Sequence, residues 1–178
     1  MKRRFLLPLP ALLSFAAWAT TQIPHTIAQR AMASDRVAVV EVIERKTVTD
    51  PSNARALKTH TLLQVRENVR GTGPSSVTLV QLGGKLGDQQ LFVPGDADFA
   101  IGERALVFLH CTSSDRCYLV AMGEGKLPVV DGDKVIVHDM VTSENARRPL
   151  REVISELRAL PPGKVRGPLA PAEPGGAR

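Results

Sequence analysis

Aromatic residues are scarce in this chain of 178 residues, which contains one Trp, one Tyr and five Phe. Trp18, Phe5 and Phe15 fall near the N-terminus, and the rest of the chain keeps Phe92, Phe99, Phe108 and Tyr118. Surfaces that bind nucleic acids or sugars use exposed rings for stacking. Because most of the remaining rings lie in apolar, strand-like contexts, we expect them in the core and predict no stacking surface.

Uncompensated charge is also missing from the body of the chain. The formal net charge is +5, but residues 20–163 contain 17 basic and 17 acidic residues with the two signs interspersed. A protein surface that follows a phosphate backbone needs clustered Lys and Arg without acidic neighbours. We therefore predict that nucleic acid is not a partner.

Long apolar runs are absent after the N-terminus. Three basic residues at positions 2–4 precede the apolar stretch 5–19, which ends in Ala17-Trp18-Ala19. This pattern predicts a signal peptide over residues 1–19 that is cleaved after Ala19. The alternative, a membrane anchor, is disfavoured because the run is short and contains Pro8 and Pro10. We predict an exported protein, periplasmic or extracellular, with no transmembrane segment after signal removal.

The remaining sequence is rich in strand patterns. Residues 20–25 are interpreted as a linker, and Thr26 as the N-cap of a short helix that reaches Ser34. Alternating or β-branched segments separated by turn residues predict short strands. These strands cover residues 35–48, 57–71, 75–84, about 90–93, 104–111, 117–122, 127–130 and 135–138, with a loop over 49–56.

A helix closes the body. Pro149 suits a first helical position, and apolar residues follow at helical spacing: Leu150, Val153, Ile154, Leu157 and Leu160. Residues 161–178 are rich in Pro, Gly and Ala, which predicts a disordered tail. Residues 26–160 are therefore predicted to form one mainly β domain with a short N-terminal and a C-terminal helix. A small OB-like Greek-key barrel is favoured, and a β-sandwich is the alternative.

The sequence contains two cysteines, Cys111 and Cys117, at the facing ends of two predicted hairpin strands. In an oxidising compartment such a pair forms a disulfide, which is our prediction. A redox site is disfavoured because it normally uses C-x-x-C at a helix start. A metal site is disfavoured because His110 and Cys111 are adjacent on a strand and point to opposite faces.

Motifs for chemistry are lacking. The histidines have no metal-ligand spacing, and Asp96 and Asp98 lack the further oxygens of a calcium loop. The glycines of residues 83–87 do not fit a phosphate loop, and no G-x-S-x-G elbow is present. We therefore predict no catalytic, metal-binding or cofactor-binding residues and no cofactor.

Four segments carry a resemblance: "ASDRVAVVEV", "VTLVQLGG", "VPGDADFAIGERALVFL" and "GKL". Together they resemble a largely uncharacterised bacterial exported β-barrel module over residues 26–160. The module is also similar, more distantly, to the OB-type netrin-like domains and tissue inhibitors of metalloproteinases. Those inhibitors place an N-terminal cysteine on the protease zinc, and this chain has no cysteine near Thr20, so their mechanism does not carry over.

Two functions are expected from these observations. The favoured one is an exported non-enzymatic β-barrel module that binds a protein or cell-envelope component, whose identity is unknown, through loops 50–56, 71–75 and 94–102. The alternative is a hydrolase-like enzyme whose polar site is assembled in space from His60, Asp98 and Glu103.

Overall fold

The computed structural model describes residues 25–138 and 145–161. The predicted signal peptide, all but the last residue of the linker, and all but the first residue of the tail lie outside the described residues. The elements in chain order are α1 (Ile27–Ala33), β1 (Arg36–Asp50), β2 (Asn53–Arg70), β3 (Ser76–Leu82), β4 (Gly84–Leu86), β5 (Gln89–Leu91), β6 (Arg104–Cys111), β7 (Arg116–Leu119), a 3-10 helix (Met122–Gly125), β8 (Lys126–Val130), β9 (Lys134–His138), β10 (Asn145–Pro149) and α2 (Leu150–Ala159).

Five strands close into a barrel. Strand β1 pairs with both β2 and β6, β2 pairs with β3, and β6 pairs with β7, all antiparallel. The ring is completed by a short parallel pairing between β3 and β7. This closed order, β1-β2-β3-β7-β6-β1, is the arrangement of an OB-type barrel. The predicted mainly β, OB-like barrel with a helix at each end is confirmed.

The first half of β1 and most of β6 are buried on both faces. Val37 and Val39 of β1 belong to a core cluster that includes α1 and α2. Ala38 and Val40, which alternate with them, belong to a second cluster inside the barrel. Because successive side chains of a strand point to opposite faces, a strand covered on both sides needs a continuous apolar run. This requirement explains the dense β-branched sequence of β1.

Strands β8, β9 and β10 extend the sheet beyond the barrel. They begin beside the first half of β6, where Leu106 pairs with Leu127. The predicted apolar face of α2 packs on this layer, since its residues Leu150, Val153, Ile154 and Leu157 are all buried. Pro149 is the N-cap of α2 and not its first helical residue, a correction of one position. The predicted cap of α1 is confirmed, because Gln29 N donates to Thr26 Oγ1 over 3.1 Å.

Two expectations about local structure are wrong. The predicted loop 49–56 is a tight turn at Pro51-Ser52, because β1 and β2 continue to Asp50 and from Asn53. Hydrogen bonds from Ser52 N and Oγ to Asp50 Oδ1, at 3.0 and 2.8 Å, hold this turn. The aromatic residues are not mainly core, since Phe92 and Tyr118 are exposed.

The two cysteines form the predicted disulfide. Cys111 and Cys117 lie directly opposite each other in the β6–β7 ladder, with their Cα atoms 4.0 Å apart. Cys117 is fully buried in the barrel cluster, and its neighbour Arg116 pairs with Thr78 of β3. The disulfide therefore fixes the four-residue strand that closes the barrel.

Replacing both cysteines with alanine is expected to lower the free energy of unfolding by about 2 kcal/mol, because the cross-link restricts a short loop in the unfolded chain. Urea denaturation of the wild type and of the Cys111→Ala/Cys117→Ala variant measures this difference. Wild type in excess reductant serves as the second comparison and should match the variant. Equal midpoints for all three samples would contradict the stabilising role.

Candidate functional site

A groove of about 890 Å³ opens between the far end of the β1–β2 hairpin and the chain that connects β5 to β6. Its floor contains polar side chains of β1, β2 and β3: Thr47, Thr59 and Gln81. One wall is residues 92–103, here named the wall loop, and the opposite wall is the β4–β5 hairpin. The groove is the larger of the two concave sites discussed below.

The wall loop has no regular secondary structure, yet its backbone is held by donors from four other elements. Each donor satisfies a different carbonyl oxygen of the loop. Gly123 N donates to Gly95 O at 2.9 Å, Gln81 Nε2 to Ala97 O at 2.7 Å, Lys126 Nζ to Asp98 O, and Arg45 Nη1 to Phe99 O at 3.1 Å. Since buried carbonyl groups without partners are costly, these bonds explain how an irregular segment keeps one conformation.

Lys126 is central to this clamp. Its side chain is 9% exposed, and its Nζ lies 2.6 Å from Glu103 Oε1. The same ammonium lies 4.5 Å from the centre of the Phe99 ring, a cation–π geometry. A single cation therefore ties together Asp98, Phe99 and Glu103 in the second half of the wall loop.

Phe99 anchors the wall loop to the barrel. Its side chain is 1% exposed and belongs to the barrel cluster with Leu63, Leu79 and Val107. The connection between β3 and β6 thus supplies an apolar plug for the barrel interior. Ile101, two residues later, has 69% of its surface exposed. The wall loop therefore has one buried ring and one exposed aliphatic side chain, with little backbone freedom between them.

The floor of the groove is a chain of hydroxyl groups. Thr59 Oγ1 donates to Gly83 O at 2.8 Å, and Thr47 Oγ1 lies 3.1 Å from Thr59 Oγ1. Gly84 lies on these two threonines with φ +128°, and a Cβ there would come within 2.4 Å of Thr59 Oγ1. Glycine is required because it permits both this backbone conformation and the close approach. The Gly-Gly pair therefore seats the β4–β5 hairpin on the barrel.

The rim of the groove is apolar and exposed. Phe92 has 76% of its surface exposed, and the side chains of Leu82, Leu91 and Ile101 are also exposed. All four line this groove. Contiguous large apolar side chains on a surface mark sites of interaction with other molecules, and their convergence here is the main functional signal of the structure.

A second groove of about 430 Å³ lies on the other side of residues 95–98. It is lined by charged groups that already have partners. Arg30 donates to Glu124 O and to Thr26 O, and its guanidinium lies 5.4 Å from the centre of the Phe108 ring. Burial lowers the pKa of Arg30 from its ordinary value, and the charge of Glu124 partly offsets this shift. These contacts attach α1 to the sheet, so we assign them a structural role.

The residues of the alternative enzyme site are only partly brought together. Glu103 lies next to the Asp98 backbone, because Lys126 Nζ contacts both. Asp98 itself forms an ion pair with Arg45 at 2.6 Å. His60 does not line the groove. It follows Thr59, which does, and adjacent residues of a strand face opposite sides.

The predicted contact loops lie at different ends of the barrel. Residues 94–102 form most of the wall loop, as described above. The turn at Pro51-Ser52 lies at the tip of the β1–β2 hairpin. Loop 71–75 lies at the opposite end of that hairpin, since Val37 pairs with Arg70. Of the three predicted contact loops, only residues 94–102 therefore belong to the groove.

Sequence reasoning missed most of the groove. The sequence predicts Leu82 in a strand, Phe92 in the core and Ile101 in the contact loop 94–102, and it predicts no role for Gln81 or Lys126. The Gly-Gly pair at residues 83–84 was the available signal, because consecutive glycines after a strand mark a bulge or a close backbone approach. Nothing in the sequence alone indicated which surface would approach them.

The described residues contain no cluster of three or more His, Cys, Asp or Glu side chains arranged to hold a metal ion. No helix within the described ranges is both long and apolar enough to cross a bilayer. His110 Nδ1 lies 2.7 Å from Asp35 Oδ2 near the disulfide.

No protein-family model matches the chain, and the comparison with curated proteins finds no match either. The resemblance to the bacterial exported module and to netrin-like domains therefore stays a prediction.

Asp50 offers a test of the hairpin tip. Its carboxylate accepts a hydrogen bond from Lys58 Nζ at 2.7 Å and others from Ser52, and these bonds lower its pKa from 3.8 to about 2. Because the unfolded chain binds this proton at a higher pH, the stabilising contribution is complete above about pH 4 and is lost as the pH falls through about 2.

The expected titration of Asp50 is therefore unusually acidic. Carboxyl-carbon NMR of the wild type should give a pKa near 2, and Lys58→Met should raise it towards 3.8, because the hydrogen bond from Lys58 is the largest cause of the shift. Lys46→Met, on the same strand as Asp50 and paired with His60 in the ladder, should leave the pKa of Asp50 unchanged. An Asp50 pKa near 4 in the wild type would contradict the contact.

Proposed function

We propose that this chain is an exported, non-enzymatic β-barrel module that binds a protein partner of the cell envelope or its surroundings. The observation that carries the proposal is the apolar rim of the groove, formed by Leu82, Leu91, Phe92 and Ile101. The partner segment would place apolar side chains against this rim.

The rigidity of the wall loop supports a binding role. An exposed Phe or Ile costs solubility, and the chain between Phe92 and Ile101 is held by four donors from distant elements, which favours a fixed position for these two side chains. A fixed apolar surface loses little conformational entropy when a partner binds. This combination is typical of the central residues of a protein interface.

Export is supported by the N-terminal pattern and by the disulfide. The basic start and apolar run of residues 1–19 are typical of a signal peptide. The bond between Cys111 and Cys117 is of a kind that persists in oxidising compartments such as the periplasm or the extracellular space. Both features fit a protein that functions outside the cytoplasm.

The enzyme alternative has weaker support. Its three candidate residues do not converge, because His60 is not part of the groove lining. Asp98 and Glu103 are paired with Arg45 and Lys126. The contacts of these carboxylates hold the wall loop in place, which is a sufficient reason for their presence.

The test is partner capture that depends on the groove. The chain purified from the periplasm of an expression host is immobilised and exposed to envelope and culture extracts. We expect the wild type to capture a reproducible partner. The Phe92→Ser/Ile101→Ser variant should recover about tenfold less of this partner than the wild type does, since central apolar residues dominate the binding energy of an interface. The matched control is Met32→Ser/Tyr118→Ser, which replaces two exposed side chains outside the groove.

The control variant should retain the partner at the level of the wild type. Equal recovery by all three proteins would assign the captured protein to another surface and contradict the proposal. Recovery of no partner by the wild type above a bare matrix would contradict it as well. Urea denaturation should give the variants a free energy of unfolding within about 0.5 kcal/mol of the wild type, as expected for surface changes. This result would establish that the fold of the variants is intact.

A further inference from the structure

We infer that the groove receives an amine-tipped aliphatic side chain, of the lysine type, from the partner. This inference rests on the proposed function, because it names the chemistry that the apolar rim and the polar floor would recognise together. Three features of the groove support it: the direction of the hydrogen bonds in the floor, one acceptor without a donor among the described residues, and an acidic side chain in the wall.

The hydroxyl protons of Thr47 and Thr59 in the floor are both used in hydrogen bonds within the protein. Gly83 O is a carbonyl and can only accept, so the Thr59 hydroxyl is the donor in their contact. Thr59 has a single hydroxyl proton, so Thr47 must donate in the contact between the two hydroxyls. The oxygen of Thr47 then retains lone pairs but has no proton to offer. The end of this chain therefore presents an acceptor to the groove.

Gln81 adds a second acceptor. This residue lines the groove and is 8% exposed. Its Nε2 donates to Ala97 O at 2.7 Å, which fixes the orientation of the amide. Its Oε1 is buried and has no hydrogen-bond partner among the described residues. Because a buried carbonyl oxygen without a donor is unfavourable, a ligand N–H group that reaches this oxygen from the groove, with a small shift of the residues that cover it, would be favoured.

The lining contains two basic and two acidic residues, and the pairing of Arg45 with Asp98 leaves Asp96 as the carboxylate that a cation could bind. Asp96 and Asp98 both belong to the wall. The guanidinium of Arg45 is bound to Asp98 Oδ1 and to Phe99 O, so its charge is compensated. Lys85, the other cation of the lining, lies on the exposed β4 strand. Asp96 Oδ1 accepts from its neighbour Ala97 N, which leaves its second oxygen for an ammonium group.

The rim explains why the donor would be carried on an aliphatic stem. A free ammonium ion gains nothing from Leu91, Phe92 and Ile101, whereas the methylene groups of a lysine side chain bury these exposed surfaces. Long amine side chains commonly place their stems on apolar surface and their charged ends beside polar groups. An apolar entrance above an acceptor-rich floor therefore selects this class of side chain over purely apolar or acidic ones.

The experiment compares two blocked tripeptides that differ in one group. One has lysine between two alanines, and the other has norleucine, which keeps the stem but lacks the amine. Each is titrated into the ¹⁵N-labelled full chain and followed by amide chemical shifts. We expect the lysine peptide to shift residues 81–84 and 96–101 and to bind about tenfold more tightly than the norleucine peptide.

A conservative variant tests the contribution of the wall. Asp96→Asn keeps the oxygen that accepts from Ala97 N and removes the negative charge, so the lysine peptide should bind about fivefold more weakly. Asp88→Asn, in the exposed turn of the β4–β5 hairpin and outside the groove lining, is the matched control and should bind as the wild type does. An unchanged affinity of the Asp96 variant would overturn the inference.

The outcomes separate this inference from the proposed function. Equal binding of the lysine and norleucine peptides would overturn the amine inference while leaving the apolar groove as a partner site. Absence of shifts with either peptide would also overturn it, and the capture experiment with the Phe92 and Ile101 variants would still decide the proposed function independently.

Discussion

Phe99→Ala is expected to lower the free energy of unfolding by about 4 kcal/mol, the cost of removing a buried aromatic ring and leaving a cavity. The ring lies in the barrel cluster and is contacted from outside by Lys126. Its loss removes the apolar plug between β3 and β6 and one partner of that cation. Equilibrium urea denaturation followed by far-ultraviolet circular dichroism measures the change.

The chain offers a close control for this experiment. Phe92 belongs to the same loop and is the same residue type, but it is exposed. Phe92→Ala should change stability by less than about 0.5 kcal/mol, as surface substitutions do. Similar losses from the two substitutions would contradict the assignment of Phe99 to the core and of Phe92 to the rim.

Lys126→Met is expected to lower the free energy of unfolding by about 3 kcal/mol, because it leaves the carboxylate of Glu103 with the Ala100 N–H but without its cation in a largely shielded position. Methionine retains the length of the stem, so the loss reports the missing charge and its hydrogen bonds to Glu103 and to the Asp98 carbonyl. The amides of residues 95–103 should also exchange faster with solvent, because the wall loop loses one of its donors. Urea denaturation and hydrogen exchange measure the two effects.

Two further variants define the origin of this loss. Lys134→Met replaces an exposed lysine and should have little effect. Adding Glu103→Gln to Lys126→Met should recover part of the stability, because it removes the unpaired charge, so the two substitutions would not be additive. Additive losses, or a Lys126→Met protein as stable as the wild type, would contradict the clamp.

The barrel could be predicted from the sequence because its signals are local. Alternation along β2, the β-branched run of β1 and the spacing of α2 each follow from the periodicity of one element. The disulfide was predictable because a hairpin places Cys111 and Cys117 opposite each other. Burial of β1 on both faces also agrees with its composition, although the pattern alone did not identify the second covering layer.

The groove could not be predicted because its parts come from distant positions in the chain. Arg45, Gln81 and Lys126 all donate to carbonyl oxygens of the same loop, and no spacing rule connects them. Phe92 stands between Leu91 and Val93, and Phe99 follows an acidic residue, yet Phe92 is exposed and Phe99 is buried. Their difference arises from how the wall loop turns over the barrel, which depends on these long-range contacts.

Closure of the barrel has a consequence for the order in which the chain can fold. One edge of strand β1 pairs with β2, which follows it directly in the chain. Its other edge pairs with β6, which is synthesised much later, and Arg36 is there paired with Leu109. Structures dominated by pairings between remote segments form slowly, since the loop-closure entropy is lost before the contacts compensate for it. A nascent chain that ends before Leu109 would therefore expose the apolar edge of β1, and we expect ribosome-bound or truncated fragments of that length to aggregate or to require a chaperone.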